Sequence, residues 1–276
     1  MTNSELEWAH VETGGVSLTA DPSLVEDARA LGLLTRGGLA HALARASGST
    51  GRAPTARLDL PHRKHTLVLR PVRHGGMFAP LRGGALCGLA RPLAELRTTA
   101  DLRTRGAPVP RPAFVLGERR WGPFWNAAVA TFLEPQTCDA LTFLATQPER
   151  KRLLRAAAAA GRAVRCFHDA GGQHRDLHIK NLLVRENEQA CEVIVIDLDG
   201  ARLRENVTPP RRTAELARLY RSLLKRGVVE QVGPRGLAVF LTAYTHRERD
   251  LRRALCARWR RERLKVHLHA LHYRGN

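Results

Sequence analysis

The chain of 276 residues has no apolar run approaching the roughly 18–20 residues that a membrane-spanning helix needs. Its start, MTNSELEWAHVETGG, lacks both the basic residues and the apolar stretch of a secretory signal, so the expectation is a cytoplasmic protein. Cysteine is sparse. Cys87, Cys138, Cys166, Cys191 and Cys256 include no CxxC pair, which argues against a disulfide framework and a structural zinc site and leaves reduced, mostly buried thiols. Lysine is nearly missing: Lys64, Lys151, Lys180, Lys225 and Lys265 are the only five. Acids are also few, 26 against 45 basic residues, for a net charge of +19. A GC-rich genome accounts for arginine in place of lysine, but not for the shortage of acids. A field of that sign favours an anionic partner: nucleic acid, a phosphorylated small molecule or an acidic membrane surface.

What is present is ordinary globular material, 43% hydrophobic and 26% charged, enough for one large domain or two lobes. Residues 1–46 read as a helical or irregular N-terminal extension, with Pro22 after Asp21 as a helix start. TARLDL and TLVLRPV, joined by PHRKH, read as a hairpin with a glycine-bearing lead-in at Gly48 and Gly51. HGGMFAPLRGGALCG reads as loop. Leu93, Leu96, Ala100 and Leu102 have helical spacing, ended by Gly106. PAFVLGERRWGPFWNAAVATFLEP offers two further strands. From Glu149 the character changes to a long alanine-rich helix, then strands at LLV and EVIVI, a break at Pro209-Pro210, and an amphipathic helix carrying Leu216, Leu219, Tyr220, Leu223 and Leu224. The expected division is therefore 1–46, a strand-rich 47–134 with one helix, and a mostly helical 135–276: an α+β chain.

The chemistry concentrates in HRDLHIKNLLV and VIVIDLDG. Asp176 and Asn181 lie five apart on one short loop, so the carboxylate can face an acceptor while the amide oxygen faces a metal. Asp197 follows an apolar strand, which would aim its carboxylate rigidly. Phosphoryl transfer needs this set: hard oxygen ligands for Mg²⁺, and a carboxylate that orients or deprotonates the attacking hydroxyl. His174, Arg175, Asp176 and Asn181 match the protein-kinase-like pattern H-R-D-x-x-x-x-N position for position. Asp197-Leu198-Asp199 departs from the D-x-G that follows it, and His178 stands where many protein kinases carry lysine.

In a kinase-like fold the first half should supply a glycine-rich turn, a strand cation and a helix carboxylate. Gly48 and Gly51, Arg70 and Glu95 are the candidates, with arginine in place of the usual lysine. Glu95 reads either as Arg70's partner or as a solvated surface acid. His174 reads as structural support for its loop, and His168 as a helix-end residue packed near it.

LVLRPVRHGGMF, RPLAELRTTADLRTRGAPVPRPAFV, HRDLHIKNLLV, VIVIDLDGARL and ELARLYRSLLKRG together resemble the lipopolysaccharide kinase family, over roughly residues 50–225. Within it the look is most like the branch that phosphorylates 3-deoxy-D-manno-octulosonic acid (Kdo). The resemblance implies a protein-kinase-like bilobal fold with ATP and Mg²⁺ between the lobes. Arg70, held by Glu95, would contact phosphates, Asn181 and Asp197 would hold Mg²⁺, and Asp176 would act as the base. It implies an anionic glycolipid acceptor, Kdo–lipid A, and peripheral association with the cytoplasmic face of a Gram-negative inner membrane. Arg73, Gly75, Gly76 and Arg82 are candidates to touch that acceptor. HRERDLRRALCARWRRERLK, with Leu251, Leu255 and Trp259 on one stripe, either lies on the membrane or packs that stripe on the core. Two alternatives stay open: a small-molecule phosphotransferase of the aminoglycoside or choline type, and a basic membrane- or nucleic-acid-binding pseudokinase. Nucleic acid is the less expected partner, and the sequence is silent on oligomeric state.

Overall fold

The computed structural model describes residues 7–44, 55–72, 84–187, 190–246 and 248–257. Gly48, Gly51, Arg73, Gly75, Gly76, Arg82 and Trp259 lie outside them. The chain divides into two compact units: Met1–Ala100 with Pro110–Glu134, and Asp101–Val109 with Pro135–Asn276.

In the first unit, β1 (Ala9–Thr13) and β2 (Val16–Ala20) form a hairpin, followed after a short 3₁₀ turn by α1 (Val25–Ala30) and α2 (Gly38–Ala44). Then come β3 (Ala56–Asp59), β4 (Thr66–Val72), β5 (Leu86–Cys87), α3 (Ala90–Thr104), β6 (Pro112–Trp121) and β7 (Phe124–Phe132). The strands make one antiparallel sheet in the order β1-β2-β6-β7-β4-β3, with β5 also on β7. Side chains of successive strand residues point to opposite faces, and the sheet has a core on each. Phe114, Leu116, Ala128, Ala130, Leu67 and Leu69 join Leu18, Leu24, Leu33 and Leu39 in one. Val115, Ala127, Val129 and Val72 join Leu86 and Leu96 in the other.

That arrangement overturns the reading of residues 1–46 as a helical or irregular extension. All five residues of β2 are buried, and β2 pairs with β6 from Val16↔Glu118 to Ala20↔Phe114. Without β2, α1 and α2, the Phe114–Leu116 face would meet water, at about 1.5–3 kcal/mol per large apolar side chain. A buried carboxylate ties this covering layer down: Asp27, 1% exposed, accepts from His62 N at 3.1 Å and pairs with the partly exposed Arg63 at Nε, 3.0 Å away.

The second unit contains β8 (Thr137–Asp139), α4 (Ala140–Ala145), α5 (Arg150–Asp169), β9 (Gly172–Gln173), β10 (Leu182–Glu186), β11 (Cys191–Val195), β12 (Arg202–Leu203), α6 (Pro209–Lys225) and α7 (Val229–Thr245). Residues 249–257 are also helical. β11-β10-β8 form a small sheet and β12-β9 a two-stranded ladder. Pro209 and Pro210 do not break the chain between elements. They are the first residues of α6, where a missing N–H costs no helical hydrogen bond. Leu255 is 3% exposed and Leu251 packs on the same core, so this part of the C-terminal stripe faces protein rather than a membrane.

Between α5, α6 and α7 lies an apolar cavity of about 460 Å³, lined by Leu153, Leu216, Leu219, Phe240 and Leu255 among others. Ile179 and Leu182, which flank Asn181, close one side of it. The loop that carries the polar residues thus rests on an apolar floor.

Candidate active site

The end of α5 sets the loop's starting point. Gly171 has φ 91°, and a Cβ there would sit 2.1 Å from Arg204 O, so only glycine lets the chain turn and β12 pass. Arg204 N donates back to Gly171 O at 2.8 Å. At Gly172 a Cβ would enter the ring of Phe167 at 2.6 Å. β9 then pairs with β12, Gln173 opposite Arg202, and this clamps the segment before His174 to the segment after Asp197.

The loop itself is held from within. His174, 2% exposed, accepts from Asp176 N at Nδ1 (3.0 Å), and its Nε2–H donates to Ile196 O at 3.1 Å. The imidazole is therefore neutral. Burial holds its pKa below the ordinary value, against the opposing pull of the Ile196 carbonyl, Glu215, Asp197 and Asp176. Asn181, fully buried, donates from Nδ2 to Asp176 O at 3.0 Å, and its own carbonyl accepts from Ile196 N at 2.9 Å. The 3₁₀ turn Ile179–Asn181 is pinned to α6 by Ile179 N, which donates to Ser222 Oγ at 3.0 Å. The hydrogen bonds thus tie the Asp176–Asn181 loop to the strand end that bears Asp197.

The three polar side chains differ in exposure. Asn181 is buried, Asp197 half-buried, and the Asp176 side chain 69% exposed. A carboxylate that projects outward from a cross-braced loop is open to a substrate hydroxyl. His178 Nε2 lies 3.8 Å from Asp176 Oδ2. Asp197 has φ 62°, a left-handed conformation unfavourable for a residue with a Cβ, at the position where a metal ligand is expected. The departure from D-x-G also has a physical basis. Residue 199 does not take positive φ; Gly200 does, at 69°, with the Arg175 side chain packed over it.

The donors suit Mg²⁺. Asn181 carries an amide oxygen and Asp197 carboxylate oxygens, the hard ligand type that ion takes. Among the described residues no group of three or more His, Cys, Asp or Glu could form an all-protein metal cage. A pair of hard oxygen ligands fits an ion that keeps several waters and completes its shell with phosphate oxygens.

In the first unit, Arg70 on β4 donates from Nη2 to Oε1 of Glu95 on α3 at 2.5 Å. Glu95 is 7% exposed, so it is not a solvated surface acid. The pairing follows from parity: Val68, Arg70 and Val72 share the sheet face that α3 covers. Gly48 and Gly51 lie outside the described residues.

Sequence reasoning missed Glu215. It is 3% exposed; its Oε2 accepts from His174 N at 2.9 Å and lies 3.2 Å from His168 Nε2. His168 Nδ1 in turn lies 2.7 Å from the Tyr244 hydroxyl, a phenol whose pKa burial pushes well up. Three helices, α5, α6 and α7, so converge on the backbone of the loop histidine. The available signal was an acid in the apolar stripe of α6, four residues before Leu219.

Comparison with known proteins gives the chain's family and fold. The model of the lipopolysaccharide kinase (Kdo/WaaP) family matches residues 60–244. The 3-deoxy-D-manno-octulosonic acid kinase of Xylella fastidiosa (strain 9a5c) is 33% identical over 193 residues, 68% of this chain and 72% of that protein. The enzyme of the same name from Vibrio cholerae serotype O1 is 29% identical over 188 residues, 65% of this chain and 75% of that one. Among solved structures, WaaP in complex with acyl carrier protein is similar with a TM-score of 0.53 at 24% identity, covering 82% of this chain and 91% of the other. That likeness establishes the kinase-like α+β fold. The family match covers both the Arg70–Glu95 pair and the braced Asp176–Asn181 loop, and through it the chain belongs to the lipopolysaccharide kinase (Kdo/WaaP) family, phosphotransferases with a sugar hydroxyl as acceptor.

Proposed function

We propose that this kinase transfers the γ-phosphoryl group of ATP to a hydroxyl of Kdo in the lipopolysaccharide inner core, on Kdo–lipid A. The observation that carries the reading is the exposed Asp176 carboxylate on a loop fixed by His174 and Asn181. Asp176 orients the acceptor hydroxyl and takes its proton as the oxygen attacks the γ-phosphorus and the bond to the ADP oxygen breaks. Asn181 and Asp197 would hold Mg²⁺, which supplies charge neutralisation on the phosphates. Arg70, kept in place by Glu95, contacts the nucleotide phosphates; its planar fork suits oxygen pairs better than a point charge would. The acceptor is a polyanionic glycolipid, and the net charge of +19 favours peripheral association with an acidic membrane surface, on the cytoplasmic face of the inner membrane. No described helix is long and apolar enough to cross a membrane.

The test is transfer of labelled phosphate from ATP, with Mg²⁺ present, to purified Kdo–lipid A in parallel with an aminoglycoside, choline, RNA and a protein mixture. Label in Kdo–lipid A alone supports the proposal. Label in an aminoglycoside or choline instead would move the chain to the small-molecule phosphotransferase reading. ATP binding with no transfer to any acceptor would favour a pseudokinase.

A further inference from the structure

The turn between β6 and β7 leaves an aromatic ring mostly open to solvent. Trp121 is 61% exposed, one of two large hydrophobic side chains among the described residues left so open. Trp121 and Phe124 face each other across a two-residue turn, with ring centroids 4.4 Å apart. Gly122 takes the first turn position at φ 49°, and Pro123 the second. Glycine supplies the positive φ that the first turn position needs, and proline fixes φ at the second, so the turn sets the ring at the hairpin tip. The β6–β7 register shifts between Arg119 and Trp121. Such a bulge re-aims side chains, and here Arg119, Arg120 and Trp121 are all exposed. Arg119 lies over the Trp125 ring at 4.8 Å. The nearby acids are both engaged: Glu12 lies 3.9 Å from Arg119, and Glu118 accepts from Gly37 N at 2.7 Å.

We propose that this tip, Arg119 to Phe124, is the element by which the kinase seats itself on an anionic lipid surface. Tryptophan favours the headgroup level of a bilayer, where its ring meets acyl carbon and its N–H meets water. Arginines beside it supply attraction to anionic headgroups, within the field of a chain of net charge +19. A single protruding ring on a convex turn suits a planar surface. Single-stranded nucleic acid is bound by aromatics along a basic groove, and this turn forms none. The inference rests on the membrane-facing part of the proposed function and adds to it the residues of contact.

The test is binding of the full chain to vesicles of phosphatidylglycerol mixed with phosphatidylcholine, with pure phosphatidylcholine as control, by co-sedimentation. Wild type should bind the anionic vesicles and Trp121→Ala about tenfold less tightly, as expected for one large apolar side chain no longer buried. Arg119→Glu with Arg120→Glu should weaken binding and flatten its dependence on salt. Bromine-labelled lipid chains should quench wild-type fluorescence, and the quenching should fall in Trp121→Phe. Trp121 is 61% exposed, so its replacement costs the fold little beyond the ring contact with Phe124, and a melting temperature still well above that of the binding assay separates lost contact from lost fold. Unchanged vesicle affinity in Trp121→Ala, no vesicle binding by wild type, or tighter Trp121-dependent binding to single-stranded RNA would each overturn the inference. Vesicle binding needs no catalysis. Trp121-dependent binding without transfer to Kdo–lipid A would therefore count against the acceptor and leave this surface standing.

Discussion

Asp197 carries two demands at one position. In the proposed mechanism it offers a carboxylate to Mg²⁺, yet its backbone sits at φ 62°, where glycine would be relaxed. Conformations of this kind cost about 1–3 kcal/mol and persist where the surroundings enforce them. Asp197→Gly should therefore unfold at equal or higher urea concentration than wild type, and Asp197→Ala at lower, while both lose phosphate transfer. A glycine variant clearly less stable than the alanine variant would show that the strain is not real. His174 gives a second, pH-dependent signature. Its folded pKa lies below the unfolded value of about 6.5. Below that pH the unfolded chain binds more protons, so stability is full above it and is lost as pH falls toward the folded value. Melting temperature should drop on acidification from about pH 6.5, and His174→Asn should flatten that slope even though it starts less stable. At this scale the sequence was informative where spacing is local. Asp176 and Asn181 are five positions apart, and a hydrogen bond from Asn181 Nδ2 to Asp176 O ties them. The sequence marks Glu215 only as an acid within an apolar stripe; the contact with His174, 41 positions away, has no local signal.

At the scale of elements, close approach decides what composition alone leaves open. Gly161 lies inside α5, where alanine would ordinarily gain about 1 kcal/mol of helix stability. A Cβ there would stand 2.4 Å from the Phe240 carbonyl oxygen and 3.0 Å from the Ala243 Cβ on α7. Overpacking of that kind costs about 1–3 kcal/mol, so packing should win. Gly161→Ala should be destabilised in urea unfolding, and a stabilised variant would mean that α5 and α7 do not pack this closely. The longer elements announce themselves in the sequence. The alternation of ARLD and TLVLRPV, the helical spacing from Leu93 to Leu102, and the alanine run of α5 are all local patterns that the fold keeps. The β1–β2 hairpin carries a short signal, since VSLTA alternates apolar and polar residues, but both faces of β2 are buried, and the strand it pairs with, β6, is about a hundred residues away.

For the whole molecule, charge and family point the same way: a strongly basic chain in a family that modifies an anionic glycolipid core. The division into two compact units was only partly legible, because Asp101–Val109 belongs with the helical unit although it lies within the strand-rich half of the sequence. Leu102, Ala107 and Val109 are buried in the second unit's core, a long-range placement with no local signal. The central claim is that phosphate leaves ATP for a Kdo hydroxyl with Asp176 as the proton acceptor. The most direct measurement compares wild type with Asp176→Asn for turnover on Kdo–lipid A and for ATP affinity. Turnover should fall by about 10²–10⁴-fold, the usual worth of a positioned base, while nucleotide affinity stays within a factor of about three, since Asp176 is assigned no contact with ATP. Near-wild-type turnover in Asp176→Asn would contradict it.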